Sequence, residues 1–583
     1  MTKTGQRATE PSCRWRTAKY NTEQADKLVR ALNIDITLAH CLLTRGIETV
    51  EDADDFLSPK LSQCVMPDKM PGVTAATEAI CSHIARKNKV VVFGDFDADG
   101  MTAASILALA IQAVGGSADI FIPDRISEGY GFTTNALSRC LELHPATKII
   151  VTVDCGISQS DACKEAVSRD VDVVITDHHK ITGPLPAEAS AIVNPELEGT
   201  PANLRHLCGA GVAFKLAHQI ARRAELDKEK FRALANCLLP LAAIGTVADL
   251  VPLIGENRII VSKGLSIINN PNRDTNIGIN ELKRTAKVNN ATSENIGFAL
   301  AARINAAGRV GNPDTAVTLL NTKCERNAVR LAQQLEKDNT NRQKEELDAV
   351  EEAQSKAASL LAKRPGSIVI FNSNWHPGVI GLVASRLVSR HRVPTVVITN
   401  GEDGFCRGSA RCPEHENLDL MPLLASCSHL LARHGGHRVA AGLTIAEENI
   451  CKFCNEFGEV CAKATEGLDL RPELTIDAWI DHSSLNEATA KTLQRLEPCG
   501  MKNPSPKLGV CNLTLSKEPS SFGKNRQDNW RLSFKETSLN GILFGKKDLP
   551  FEEGDKLDII FAFSRDLRGN LQMSIRDFAS AQT

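Results

Sequence analysis

The stretch VVVFGDFDADGMTAASILALAI, residues 90–111, decides the fold. Its opening Val and Phe run reads as a short strand covered on both faces, as in a parallel sheet. Asp95, Asp97 and Asp99 then alternate up to Gly100, and an apolar helix of small residues begins. On a strand these carboxylates share a face, whereas in a tight strand-to-helix turn they fan around a point. An EF-hand calcium loop fits poorly. It needs a preceding helix and a Glu at its twelfth position, and here a strand precedes and that position is Ile106.

Three further clusters end apolar runs: VDCG at 153–156, TDHH at 176–179 and VADL at 247–250. KIIVTV (148–153) and VDVVIT (171–176) read as buried strands, while LLPLAAIGTV (238–247) fits a strand or a helix equally well. Open α/β sheets bind ligands at the carboxyl ends of their strands. Asp95, Asp97, Asp99, Asp154, Asp177, His178, His179 and Asp249 are therefore expected in one crevice. So many carboxylates do not stay ionised together without compensation. Divalent cations supply it, and carboxylate oxygens with one or two imidazoles suit Mn²⁺ or Mg²⁺. The ligand count is enough for two ions, an arrangement that stabilises both the attacking and the leaving oxygen of a phosphoryl displacement. The adjacent histidines point different ways, so one is available to a metal and the other to a ligand.

A chain of 583 residues exceeds one core and implies several domains. With 42% hydrophobic and 24% charged residues it has the composition of a globular protein, and no apolar stretch is read as long enough to cross a bilayer. The first residues lack the apolar centre of a secretory signal, so the 18 cysteines are expected as reduced thiols in a cytoplasmic protein. Cys451, Cys454 and Cys461 have the look of a zinc half-site, but no fourth ligand follows and the segment reads as an amphipathic helix. A formal net charge of −2 excludes a globally basic nucleic-acid binder and leaves room for a local basic groove.

Five segments follow along the chain. Residues 1–75 form an N-terminal extension, and 76–321 alternate strands with helices, the mark of a doubly wound sheet. Residues 322–364, rich in Glu, Lys, Gln and Ala, form one long helix stopped by Arg364-Pro365-Gly366. A smaller α/β unit occupies 365–466, and 467–583 alternate short β-like runs with turns, as an all-β barrel does. Trp479, Phe522, Trp530, Phe534, Phe544, Phe561 and Phe563 fall in this last segment, as barrel core or as exposed rings for stacked bases.

Several arginines neighbour glycines or small residues: Arg125 before EGYGF, Arg303 and Arg309 in ARINAAGRVG, Arg407 and Arg411 in CRGSARC. Arg grips phosphate with two donors, and small neighbours let the backbone come close. HGGHRVAAG (434–442) adds adjacent glycines and two histidines; its plain reading is a turn entering a helix.

Taken in order, DFDADG, PDRISEGYG, VDCG, TDHH and AIGTVADLVPL resemble the motifs of the DHH phosphoesterase superfamily. WHPGVIGLVASR, RGSAR and GGHRVAAG resemble its DHHA1-type second domain. INAAGRVGNPDTAV, the long helix and the terminal β segment resemble the bacterial RecJ-type single-stranded-DNA exonucleases, and the likeness runs from about residue 12 to the end. It implies a doubly wound DHH domain joined by a long helix to a smaller DHHA1 domain, with a C-terminal OB-fold that helps grip the strand. The activity implied is 5′→3′ hydrolysis of single-stranded DNA to 5′-mononucleotides with two Mn²⁺ or Mg²⁺ ions, in repair and recombination. By carry-over, Asp95, Asp97, Asp99, Asp154, His178 and Asp249 hold metal, and His179, with Asp177, serves the scissile phosphate. Arg125, Arg309, Ser409 and Arg411 hold the DNA, with His376 and His437 as further substrate contacts. Single-stranded DNA is the implied partner, a helicase and a single-strand-binding protein the implied suppliers, and a monomer with no membrane association the implied state. Two departures from the family pattern leave the chemistry intact: Phe96 replaces a Tyr, and Cys499 and Lys502 replace an aromatic and a Gly. Shorter relatives that cut dinucleotides lack a terminal barrel, and an inactive DNA-binding relative would have lost metal ligands that this chain keeps.

Overall fold

The Val-rich run forms strand Lys89–Phe93, flanked in a five-stranded sheet by Ala118–Phe121 on one side and Thr147–Val153 on the other. Asp172–Thr176 and Ala191–Val193 follow outward, and every neighbouring pair is parallel. Alternate residues face opposite layers, as strand geometry requires. Val90, Val92, Ile149 and Val151 pack into a core shared with helix Ala98–Ala113. Val91, Phe93 and Ile150 pack against helices Thr134–Leu143 and Ser160–Ser168. Burial on both faces is why these strands are almost wholly Val, Ile and Phe. The strand order reverses beside Lys89–Phe93, and an open sheet forms its crevice at that point.

This computed structural model describes residues 11–581 apart from 126, 273, 364, 402–403, 524–527, 547–548 and 567. The chain divides into two units, Leu61–Leu470 and a second built from the segment ending at Lys60 together with Arg471 onward.

The run before Asp249 is a helix, Lys228–Ala248, with Asp249 as its C-cap. By length and composition it is apolar enough to cross a membrane, which corrects the expectation that no stretch qualifies. It packs instead against Ala98–Ala113, Gly209–Arg223 and Gly255–Asn269, burying Leu238, Leu241, Ala242 and Ile244. The apolar composition belongs to a core helix.

Helix Glu325–Lys363 has 39 residues, about 58 Å at 1.5 Å per residue. Ala328, Leu331, Ala332 and Leu335 enter the core beneath the parallel sheet. Ala349, Ala353 and Ala357, spaced by one turn, enter a separate core with strand Ile368–Phe371 and helix Ile380–His391. Between these apolar ends Arg342 donates to Asn339 and Glu346, both at 2.7 Å, and Glu346 also accepts from Arg386. Arg364 of the expected stop lies outside the described residues.

The second α/β body has a five-stranded sheet in the order Leu431–His437, Ala440–Ala446, Phe405–Arg411, Thr395–Asn400, Ile368–Phe371. Only the last pair is parallel. HGGHRVAAG is thus an antiparallel hairpin, not a turn entering a helix, with Gly435 paired to Gly442. Cys451, Cys454 and Cys461 lie on helix Ile450–Thr465, exposed, half-buried and buried in turn. Among the described residues they join no metal-ligand cluster.

In the other unit, seven strands form one sheet in the order Ala478–Trp479, Leu508–Thr514, Lys556–Arg565, Leu571–Ser580, Gly541–Phe544, Asn529–Leu532, Ser520–Ser521. Its core is shared with the N-terminal helices through Leu28, Leu38 and Leu42, so the first residues pack as part of the β body. A buried Arg45–Asp477 pair at 2.8 Å joins the two segments, and Asp577 accepts from Ser12, Cys13 and the Trp15 indole. Of the seven aromatics, Phe534 and Phe561 are core, whereas Trp479 and Phe544 are exposed.

Within the larger unit, Lys215 and Glu256 form an ion pair at 2.6 Å with both side chains only 2% exposed. Lys215 also donates to the Val65 carbonyl and Glu256 accepts from the Val65 N–H, so the pair clamps residues near 65 to two helices. Removing one partner from such a pair strands a buried charge and costs about 3–5 kcal/mol. Glu256→Ala is expected to lower the thermal midpoint sharply, and the paired change Lys215→Met with Glu256→Leu to recover much of the loss. A Glu256→Ala protein melting within a degree of the parent would contradict the clamp.

Candidate active site

Asp97 caps helix Ala98–Ala113, accepting from the N–H groups of Asp99 and Gly100 at 2.9 and 3.0 Å. The three aspartates therefore fan around a turn. Asp99 points back into the molecule, where the N–H groups of Gly209 and Ala210, opening helix Gly209–Arg223, donate to it at 2.6 and 2.9 Å. A helix N-terminus is a natural seat for a carboxylate. Asp154 stands at the end of its strand with φ +60°, a left-handed conformation that side chains disfavour and functional sites often retain. It packs so closely on Gly209 that a Cβ there would lie 2.6 Å from the Asp154 Cβ.

His178 Nε2 lies 3.0 Å from Asp154 Oδ1, 3.6 Å from Asp249 Oδ2 and 3.8 Å from Asp99 Oδ2. Yet His178 Nε2, Asp154 Oδ1 and Asp95 Oδ1 are buried without a hydrogen bond. Buried oxygens and an imidazole nitrogen left without a partner are the kind of atoms that a bound cation satisfies. Three ligand sets emerge: Asp154, His178 and His179; Asp99, His178 and Asp249; and Asp95, Asp97 and Asp154. In each set the ligand atoms lie within 4.8 Å of one another, close enough to converge on one divalent ion. Asp154 belongs to two of the sets, so it is the carboxylate placed to bridge two ions.

Electrostatics agree. Burial raises the Asp95 and Asp154 carboxyls well above the usual range, reinforced by Asp97 for the first and by Asp99 for the second. Burial and neighbouring aspartates push Asp99 up to about 6 and Asp249 up to about 8. The adjacent histidines separate. Burial and the His179 charge press His178 down to about 4, leaving a neutral imidazole fit for a metal. Burial also opposes charge on His179, but the hydrogen bond to Asp177 and the charges of Asp177, Asp249 and Asp95 carry it up to about 9. Asp177 holds His179 Nδ1 at 2.7 Å and is itself fixed by the N–H groups of Ile157, His178 and His179. Asp177 is thus a positioning group beside the ligand sets. The Tyr130 hydroxyl lies 3.1 Å from His179 Nε2.

From Tyr130 a cleft of about 500 Å³ opens between the two α/β bodies of the larger unit. Arg125, Arg309 and Arg411 line it with Ser409, and Arg407, Arg433 and His434 join them; among the described residues no Asp or Glu lines it. Arg125 sits 4.8 Å over the Phe96 ring, Arg309 donates to the Gly378 carbonyl, and Arg411 donates to Ser409 Oγ at 3.0 Å. Burial and the charges of Arg125 and Arg342 hold Arg309 down to about 10, as expected of crowded cations that want an anion. His376 and His437 are not lining residues. His376 accepts from the Gly378 N–H and so shapes the wall, while His437 ends an exposed strand. Arg433 lies outside the motifs read from the sequence, whereas His434 opens HGGHRVAAG, and the hairpin brings both to the cleft.

The sequence matches the model of the DHH family N-terminal domain over residues 89–246, the DHHA1 domain over 365–463 and the RecJ OB domain over 476–577. It is 32% identical over 581 residues to the single-stranded-DNA-specific exonuclease RecJ of Bacillus subtilis, covering 98% of this chain and 71% of that one. This chain belongs to the RecJ family. The Escherichia coli member is 32% identical over 481 residues, covering 79% of this chain and 81% of its own. Among solved structures, RecJ of Thermus thermophilus in complex with Mn²⁺ superposes with a TM-score of 0.81 at 27% identity, over 98% of this chain and 80% of that one. The family fold is a mixed α/β DHH and DHHA1 pair with an OB domain, and the strand orders described above are its realisation here.

Carboxyls with raised pKa bind protons when folded that they shed when unfolded, so stability falls as pH rises through the folded values. For Asp99 the fall runs from the ordinary carboxyl value, about 4, to about 6, and for Asp249 it continues to about 8. Cations take the place of those protons. Chelator-treated protein is expected to lose thermal stability from pH 6.5 to 8, and the gain from saturating Mn²⁺ to grow over the same range. A Mn²⁺ gain that is flat, or larger at the acid end, would speak against the carboxylate set.

Proposed function

We propose that the chain hydrolyses single-stranded DNA from its 5′ end, releasing 5′-mononucleotides, with two Mn²⁺ or Mg²⁺ ions. The observation that carries this reading is the meeting, at Tyr130 and His179, of unpartnered metal-ligand atoms with a cleft lined, among the described residues, by arginines and no carboxylate. A cation-demanding cluster beside an anion-demanding cleft matches a phosphodiester bound next to the group that breaks it.

Asp95, Asp97, Asp99, Asp154, His178 and Asp249 would hold the ions, which when bound supply hydroxide near neutral pH and stabilise the leaving 3′-oxygen. His179, charged and oriented by Asp177, faces the scissile phosphate and offsets its developing negative charge. Arg125, Arg309 and Arg411, with Ser409, take the terminal phosphate and the backbone beside it. His376 assists through the Gly378 wall that it fixes. Because the cleft and the acid cluster arise from a single chain, a monomer is sufficient. The reading extends to repair and recombination in the cytoplasm, with a helicase and a single-strand-binding protein presenting the strand.

With Mn²⁺ and a single-stranded oligonucleotide labelled at either end, labelled mononucleotide is expected at once from the 5′ end alone. Asp154→Ala should abolish cleavage yet still bind the strand. Full cleavage by that variant would sink the metal assignment, and release from the 3′ end the polarity. Arg411→Ala removes charge-assisted contacts worth about 1.5–3 kcal/mol. Its KM should rise about ten- to hundredfold on 5′-phosphorylated strands and much less on 5′-hydroxyl strands.

A further inference from the structure

Two large apolar side chains stand in solvent beside the acid cluster. Phe298 is 81% exposed and Leu250 is 69% exposed. Leu250 directly follows Asp249 and is held at φ +58°, a strained setting for a branched side chain. Phe298 lies on a π-helical turn, Ile296–Ala301, a rare geometry that recurs at functional sites. Ile296, Leu300 and Ala301 of that turn are buried, so Phe298 is carried on its outward side. Neither the acid cluster nor the arginine cleft uses either side chain.

Their place relative to the site is fixed by the helix that carries Phe298. At one end, Gly297 packs on the helix that ends in Asp249: a Cβ on it would lie 3.7 Å from the Val247 side chain. Further along, Asn305 accepts from the Ala98 N–H beside Asp97 and Asp99, and Arg309 enters the arginine cleft. Arg303 pins the middle of the run by bonding to Glu336 and to the Ala299 carbonyl. One rigid element thus rims the acid cluster, with the phosphate-binding arginine at one end and Phe298 at the other. Eleven residues separate them, about 15 Å along the axis. If the terminal nucleotide occupies the arginine cleft, the remaining strand leaves past Asp249, where Leu250 and Phe298 stand.

We propose that Phe298, with Leu250 on the adjoining helix end, is a nucleobase-stacking subsite for an unpaired base on the 3′ side of the bond being cut. The inference rests on the single-strand exonuclease reading above. A flat ring in water beside a phosphate-binding track is suited to the π-face of any base, so the subsite is sequence-tolerant. A base engaged in a duplex offers no free face, so the subsite also favours single strands over paired ones. Phe298 touches substrate without touching the reacting atoms, and its contribution belongs to KM.

The test uses 5′-phosphorylated oligonucleotides in which a single abasic residue is moved one position at a time from the 5′ end. On the wild-type chain, KM for the first cut should rise about five- to hundredfold when the abasic residue reaches one particular position, with kcat within about twofold. Phe298→Ala should show the raised KM on intact strands and lose the positional dependence. Phe298→Trp should restore both, and Leu250→Ala should weaken the same position. An unchanged KM for Phe298→Ala, a loss in kcat alone, or an abasic effect that persists in that variant would each overturn the subsite. Thermal unfolding of Phe298→Ala should match the parent, since the ring is exposed. If the wild-type chain releases no nucleotide from intact strands, it is the exonuclease reading that fails. If it does and the abasic walk is flat, only the subsite falls.

Discussion

Four carboxylates withdrawn from water at one edge of a parallel sheet set the terms for this molecule. Asp95, Asp99, Asp154 and Asp249 are each raised by burial and by neighbouring aspartates, Asp97 among them in every case. The surrounding backbone relieves part of this: a helix N-terminus donates two N–H groups to Asp99, and Asp97 caps its own helix. What it does not relieve is the set of atoms without donors, Asp95 Oδ1, Asp154 Oδ1 and His178 Nε2. The close approach that brings them together also constrains the frame. Gly209 must lack a side chain for Asp154 to reach its place, and Gly308 must lack one because a Cβ there would sit 2.0 Å from the Phe96 carbonyl.

That frame extends to the second α/β body through one helix. Glu325–Lys363 contributes apolar residues to two separate cores, and its polar middle is tied across to Arg386. A continuous helix is stiff over this length, so the arginines of the DHHA1-type sheet are held opposite those of the DHH domain without a flexible joint. Cleft and acid cluster then have complementary deficits. Arg309 is crowded by other cations, and the carboxylates are crowded by other anions. A phosphodiester chelated by metal answers both at once, which is why neither half of the site makes electrostatic sense without the other.

How much of this was legible in the sequence follows from which interactions are local. The strands leading to Asp95, Asp154 and Asp177 are legible because burial on both faces demands an unbroken Val and Ile run. The gathering of the acid clusters follows from the rule that crevices form at strand ends. The run before Asp249 was ambiguous because a core helix and a buried strand share an apolar composition, and only its 21-residue length in the structure separates them. The left-handed Asp154 was invisible, since Asp after a strand ordinarily caps a helix. Arg433 was missed for another reason: it reaches the cleft through hairpin pairing with Ala440–Ala446, which local spacing does not encode, and the same pairing gives a place to His434 of the HGGH segment. The packing of the N-terminal helices on the β-rich segment, through Leu38, Leu42 and the Arg45–Asp477 pair, joins residues more than 400 positions apart and left no trace in either segment alone.

The paired histidines show how one dipeptide serves two chemistries. The two rings lie side by side, centroids 4.4 Å apart, yet His178 Nε2 meets the carboxylates while His179 Nδ1 meets Asp177 and its ring lies against Tyr130. The charge on His179 is one of the causes that hold His178 neutral, and the anions that would repel a bound phosphate are the same ones that keep His179 charged. A metal ligand must be deprotonated and a phosphate contact must be cationic. Separate positions would need separate environments for the two requirements. Here Asp177 holds the second ring charged, and that charge together with burial keeps the first ring neutral against the pull of Asp177 itself.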